Sequence, residues 1–339
     1  LVKSNKKYQF YSIVILLILM FITTIYCVYS IVTSDSNVTH AQLDNSIESK
    51  NLSNQQDKKT DLYAVSYAMN SKKILGDLGE DEKNNLILQI EKDNLEELID
   101  INYRGTLYDL WLYIKLCEEL EMQPKYGDEI SKILEKLWNN EGFYKAYKDE
   151  TIKQPAPSFL LSTKMALDIY ESINIPIPSL DVTKNWVKGV FKSVEADSNY
   201  DFISKGSFLV LINEIDILIS DENILPKEKY EVLKGELVSL FEDSEDSVEK
   251  FKVGLQINEL YNDEIIILET ENIKDYLYNI QLPNGAFPMF GKGQPDILST
   301  SISLSIMNDL SIEILNKDAL ITYLDQVVQS GLTSGINKN

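Results

Sequence analysis

The sequence predicts an all-α protein: one transmembrane helix, a polar linker, and a large domain of about six helical hairpins. Three observations predict it. An uncharged apolar stretch runs from Phe10 to Thr33, apolar residues recur with a helical period through most of 60–339, and small hydroxyl residues precede apolar runs at comparable intervals.

The apolar stretch (FYSIVILLILMFITTIYCVYSIVT) is long enough, at about 1.5 Å per residue, to cross a bilayer core with some tilt. Lys3, Lys6 and Lys7 precede it and Ser34, Asp35 and Ser36 follow it, so the positive-inside rule places residues 1–9 in the cytoplasm and everything after Thr33 outside. A signal peptide cleaved after Thr39, His40 and Ala41, giving a secreted protein, is the alternative, but its apolar region would be shorter. Residues 34–59 are rich in Ser, Asn, Gln and charge without sustained periodicity, the composition of a flexible linker. The abundance of Lys, Ile and Asn points to an AT-rich bacterial genome.

Composition narrows the chemistry of the outer domain. Lys and Arg total 32 against 53 Asp and Glu, and the three N-terminal lysines precede the first acid, so residues 34–339 carry a formal charge of −24. Such a field repels nucleic acid and anionic lipid. Arg104 is the only arginine, which rules out a guanidinium cluster for diphosphates. His40 is the only histidine, and the cysteines are Cys27 in the membrane segment and Cys117 in a helix, so no zinc site, disulfide framework or other cofactor is expected.

Helical stripes at i, i+3, i+4 and i+7 comprise Ile130, Ile133, Leu134, Leu137 and Trp138; Trp186, Val187, Val190, Phe191 and Val194; Leu233, Leu237, Leu240 and Phe241; and Leu320, Ile321, Leu324, Val327 and Val328. Between them lie segments apolar on nearly all faces: 107–116, 159–170, 208–219 and 298–310. The chain therefore alternates a more buried helix with an amphipathic one. Thr106, Ser162 with Thr163, Ser207, and Ser299 with Thr300 stand where N-caps are expected, and their spacing implies a repeat of about 46 residues, as in helical-hairpin arrays. The acidic run Glu242–Glu249 reads as a solvated loop or helix start.

Two longer segments resemble each other: LWNNEGFY followed by LLSTKMALDIY, and IQLPNGAFPMF followed by ILSTSISLSIM. Gln281, Asn284, Gly285, Phe287, Ser299 and Thr300, echoed by Asn140, Gly142, Phe143, Ser162 and Thr163, resemble the repeats of the terpenoid cyclase and protein prenyltransferase superfamily. The resemblance implies an α/α toroid, with inner helices around a central cavity, over residues 60–339. It does not bring the chemistry with it. The cyclases begin an inner helix with Asp-x-Asp-Asp and donate a proton from the middle Asp; here the similar place holds Asp296, Ile297, Leu298 and Ser299, with leucine where the donor belongs. The zinc ligands of the prenyltransferases also lack counterparts.

Candidate catalytic side chains are Asp296 and the acids within buried-helix segments, Asp109, Asp168, Glu214 and Asp309. Burial of a lone carboxylate is costly, so each of the latter is expected to face water or a partner. Two converging on a cavity would suit a cell-envelope carbohydrate hydrolase or lyase. The missing family motifs favour instead a non-catalytic binding or interaction domain on a membrane tether, its ligand a peptide, lipid or glycan.

Overall fold

In a computed structural model the described residues are 61–93, 107–147, 150, 156–220, 227–289 and 293–333. All belong to the second of the two units into which the chain divides, Gln55–Asn339. The basic tail, membrane segment and linker expected from sequence lie outside the described residues, as do His40, Cys27, Arg104 and Thr106. No described helix is long and apolar enough to cross a membrane.

Among the described residues the fold is all-helical, with isolated bridges Trp138–Tyr144 and Pro288–Pro295 in place of strands. The helices are α1 Leu62–Leu75, α2 Glu80–Asp93, α3 Leu107–Glu119, α4 Gly127–Leu137, α5 Leu160–Ser172, α6 Leu180–Ala196, α7 Phe202–Ile219, α8 Lys227–Glu231, α9 Lys234–Glu242, α10 Val248–Tyr261, α11 Thr270–Ile280, α12 Ile297–Asp309 and α13 Lys317–Thr333. Six of them, α1, α3, α5, α7, α10 and α12, begin at intervals of 42 to 53 residues and form the core set.

The core helices are neighbours in chain order. α1 packs on α3, α3 on α5, α5 on α7, α7 on α10, α10 on α12, and α12 on α1. Their buried faces follow from apolar residues on most sides, such as Leu110, Leu112, Tyr113, Ile114 and Leu116 in α3. The amphipathic helices bury one stripe each, as expected from sequence: Ile130, Leu134 and Leu137 in α4, and Val187, Val190, Phe191 and Val194 in α6. α13 packs along α1 and brings Leu320, Leu324 and Val328 into the core shared with Val65 and Met69.

Of the expected hydroxyl caps, those that fall among the described residues, Ser162 with Thr163, Ser207, and Ser299 with Thr300, are not the caps. Asp201, Ser247 and Asp296 cap α7, α10 and α12, each side chain accepting from an amide three residues on. Ser207 lies inside α7, and a four-residue 3-10 turn, Ala156–Phe159, leads into α5. Thr163 and Thr300 instead fasten the preceding loop: Thr163 Oγ1 accepts from Tyr144 N at 3.1 Å, and Thr300 Oγ1 from Phe287 N at 3.0 Å. Tyr144, not Phe143, is thus the counterpart of Phe287. A hydroxyl at the first turn of a helix looks the same in sequence in either role.

The two resembling loops share one geometry. Gly142 N donates to Asn139 O and Gly285 N to Leu282 O, closing matching turns. Both glycines have positive φ, 108° and 80°, a region costly for residues with a Cβ. Space is as restrictive as conformation: a Cβ at Gly285 would lie 2.6 Å from Leu320 Cβ and 2.9 Å from Asn316 O of the α13 entry, and one at Gly142 2.6 Å from Val182 O of α6. Gly285→Ala is expected to destabilise the domain by about 2 kcal/mol, by strain plus displacement of α13, measurable as a lower urea midpoint at unchanged m-value.

Candidate functional site

Besides their buried faces the core helices carry half-exposed side chains, and several of these meet partners on a neighbouring core helix. Tyr67 of α1 and Tyr108 of α3 share a hydroxyl hydrogen bond of 3.0 Å. Trp111 of α3 donates its indole N–H to Asp168 Oδ2 of α5 at 3.1 Å. Lys164 of α5 lies 2.7 Å from Asp168 and 3.6 Å from Glu214 of α7. Lys252 of α10 reaches Ser305 and Asp309 of α12 at 3.0 and 3.3 Å, and Asn70 of α1 donates to Ser301 of α12 at 2.9 Å.

The sequence candidates therefore fall in different places. Asp168 and Glu214 come together, bridged by Lys164. Asp168 is 7% exposed, and each of its oxygens has a donor, the ammonium on Oδ1 and the indole on Oδ2. Such a carboxylate is satisfied by its partners, which is how a buried charge is tolerated. Burial pushes the Glu214 carboxyl up and the Lys164 ammonium opposes that shift. Asp309 is paired instead with Lys252 of α10.

Asp296 is an N-cap: its Oδ2 accepts from Ser299 N at 2.7 Å, and its carbonyl accepts from the Thr300 hydroxyl at 2.7 Å. That geometry gives the carboxylate a structural partner at the positive end of α12. Asp109 occupies the first turn of α3, where the same dipole favours an acid, and is half-exposed. Leu298, in the place of the cyclase donor, is half-exposed in α12.

Sequence reasoning missed the tyrosines. Tyr63 and Tyr67 pack edge to face at 5.1 Å with their rings at 67°, and Tyr63 meets Tyr108 at 6.5 Å and 52°. Tyr108 stacks on Trp111 at 5.9 Å and 19°, and Lys115 Nζ lies 5.8 Å from the Trp111 ring centre. Burial raises the pKa of all three tyrosines; Asp296 and Asp61 add to the rise at Tyr63, and Tyr67 and Asp109 to that at Tyr108. The i, i+4 spacing of Tyr63 and Tyr67, repeated as i, i+3 in Tyr108 and Trp111, was the available signal.

Among the described residues no three His, Cys, Asp or Glu side chains are grouped to hold a metal ion. Comparison with known protein families, curated proteins and solved structures found no match.

Proposed function

We propose that the chain is a membrane-tethered, extracytoplasmic binding domain, built as an α/α toroid of the terpenoid cyclase and prenyltransferase type, that holds its ligand without transforming it. Two features support the toroid: neighbour relations that run through six core helices and return to the first, and two loops with the same glycine turn fastened by the same threonine contact. The half-exposed side chains then line the centre.

The observation that carries the non-catalytic reading is the state of the meeting acids. Both oxygens of Asp168 are engaged by fixed donors, and Lys164 stands between it and Glu214. Acid and base catalysis needs a carboxyl that reaches the substrate and exchanges a proton with it. The carbohydrate-active reading keeps one support, the upward push that burial gives the Glu214 carboxyl.

The test is incubation of the intact protein with cell-envelope extract and mass spectrometry of the small molecules recovered. A retained molecule released unchanged is expected; a new product whose formation stops in Glu214→Gln or Asp296→Asn would overturn the proposal. Orientation is tested separately: of cysteines introduced at Ser4 and Ser53, only the second is expected to react with an impermeant reagent on intact cells. Equal protection of both contradicts an extracytoplasmic domain.

A further inference from the structure

Two stretches of these side chains differ in chemistry. That of α5 and α7 is charged, Lys164 pairing with Asp168 and Glu214, and Asp168 also takes the indole N–H of Trp111. That of α1 and α3 is aromatic: Tyr63, Tyr67, Tyr108 and Trp111 are all half-exposed and packed at the edge of the core, and Tyr323 of α13 packs at the same edge. Tyr63 is tilted against both Tyr67 and Tyr108, Tyr108 stacks on Trp111, and the Tyr67 to Tyr108 hydroxyl bond fixes two of the rings.

Carboxylates act electrostatically on three of these rings. Asp61 and Asp296 act electrostatically on Tyr63, Asp296 also on Tyr323, and Asp109 on Tyr108. Lys115, the ammonium near Trp111, already pairs with Glu118 at 2.8 Å. An isoprenoid would gain nothing from the carboxylates, and a ligand of net negative charge would be repelled by them. Electron-rich ring faces set at angles to one another, with acids close by, match a large, weakly hydrated cation, which is drawn to the ring quadrupole and to the field together.

We propose that the Tyr63, Tyr67 and Tyr108 cluster binds an organic ammonium group, of which a trimethylammonium is the representative. This assignment rests on the binding-domain reading and names the ligand class for it.

The experiment uses the intact protein in a nonionic detergent, with choline chloride as probe and tryptophan emission as readout, because Trp111 stacks on Tyr108. Saturable quenching at millimolar choline is expected. The neutral carbon isostere 3,3-dimethylbutan-1-ol is expected to give no response over that range, and sodium chloride none. Tyr63→Leu, which removes a ring face, is expected to weaken choline binding by roughly tenfold, while Tyr63→Phe, which keeps the face, leaves it within about twofold. A response to phosphatidylcholine vesicles as well as to choline supports the site and assigns the cation to a lipid headgroup; a response to choline alone supports it and assigns a soluble cation. Equal binding of the isostere, unchanged affinity in a folded Tyr63→Leu, or no response to choline overturns the assignment. If the envelope-extract experiment still returns an unchanged retained molecule, only the ligand class falls; if it returns a product, the binding-domain reading falls.

Discussion

A fragment covering residues 59–223 is expected to lose the single sharp thermal transition of a fragment covering 59–339. The shorter chain ends after α7, so α1 loses both α12 and α13, and α7 loses α10. Val65, Ala68 and Met69, fully buried in α1, share their core with Leu304, Leu320 and Leu324, all of which the deletion removes. Each large side chain thus uncovered forfeits about 1.5 to 3 kcal/mol of burial, and a domain stable by only about 5 to 15 kcal/mol does not absorb several such losses. Circular dichroism at 222 nm is the measurement. A broad, low-temperature melt with reduced helicity is expected of the short fragment. If it melts as sharply as the long one, the hairpins are independent neighbours in an open array, and the toroid reading falls.

The joint between α1 and α13 has polar latches of its own. Asp61 N donates to Gly331 O at 2.8 Å, Lys317 Nζ to Leu75 O at 2.9 Å, and Lys72 to Asp325 at 2.6 Å and Glu82 at 2.8 Å. Lys72 is 3% exposed, so α1, α2 and α13 meet on a nearly dry ammonium. Nothing in the local pattern of α1 announces this. Lys72 follows Ser71 and precedes Lys73 in what reads as the wet end of an amphipathic helix, and its partner lies 253 residues away.

The same contrast separates what was legible from what was not. Helix type and the buried stripes of α4, α6 and α13 are periodic properties of a few consecutive residues, so they could be read directly. The threonine contacts were misread because Ser and Thr at a first turn serve equally as caps or as loop fasteners, and only the position of Tyr144 or Phe287 decides between them. The start of α7 shifts from the neighbourhood of Ser207 to Phe202 because Asp201 supplies the cap, and an aspartate in a polar loop carries no mark of that role. Of the candidate acids, Asp168 and Glu214 were expected to face water or a partner; the partner they share, Lys164, was half visible, since Lys164 and Asp168 stand at i, i+4. Tyr63 and Tyr67 meet Tyr108 across 41 or more residues, and no local pattern encodes such a meeting.

The second large effect concerns a lysine that sequence reading placed on no surface in particular. Lys205, in the first turn of α7, is fully buried, and its ammonium lies 2.6 Å from Glu236 of α9 and 3.3 Å from Asp197 O. Glu236 keeps about a third of its side-chain surface, 36%, in water. The pair is therefore asymmetric, and the two halves are expected to respond differently to mutation. Removing the acid leaves a dry ammonium with a single carbonyl; Glu236→Ala is expected to cost about 3 kcal/mol or more, the size of breaking a buried pair from one side. Removing the base leaves a carboxylate that can hydrate, and methionine refills most of the space, so Lys205→Met is expected to cost about 1 kcal/mol or less. Urea unfolding of the two variants and of the double variant measures this directly. The double variant is expected to be more stable than Glu236→Ala alone, because the charge that suffers the loss is gone. If Lys205→Met proves the more damaging single change, the ammonium is held chiefly by packing of its stem around α7 and not by the carboxylate.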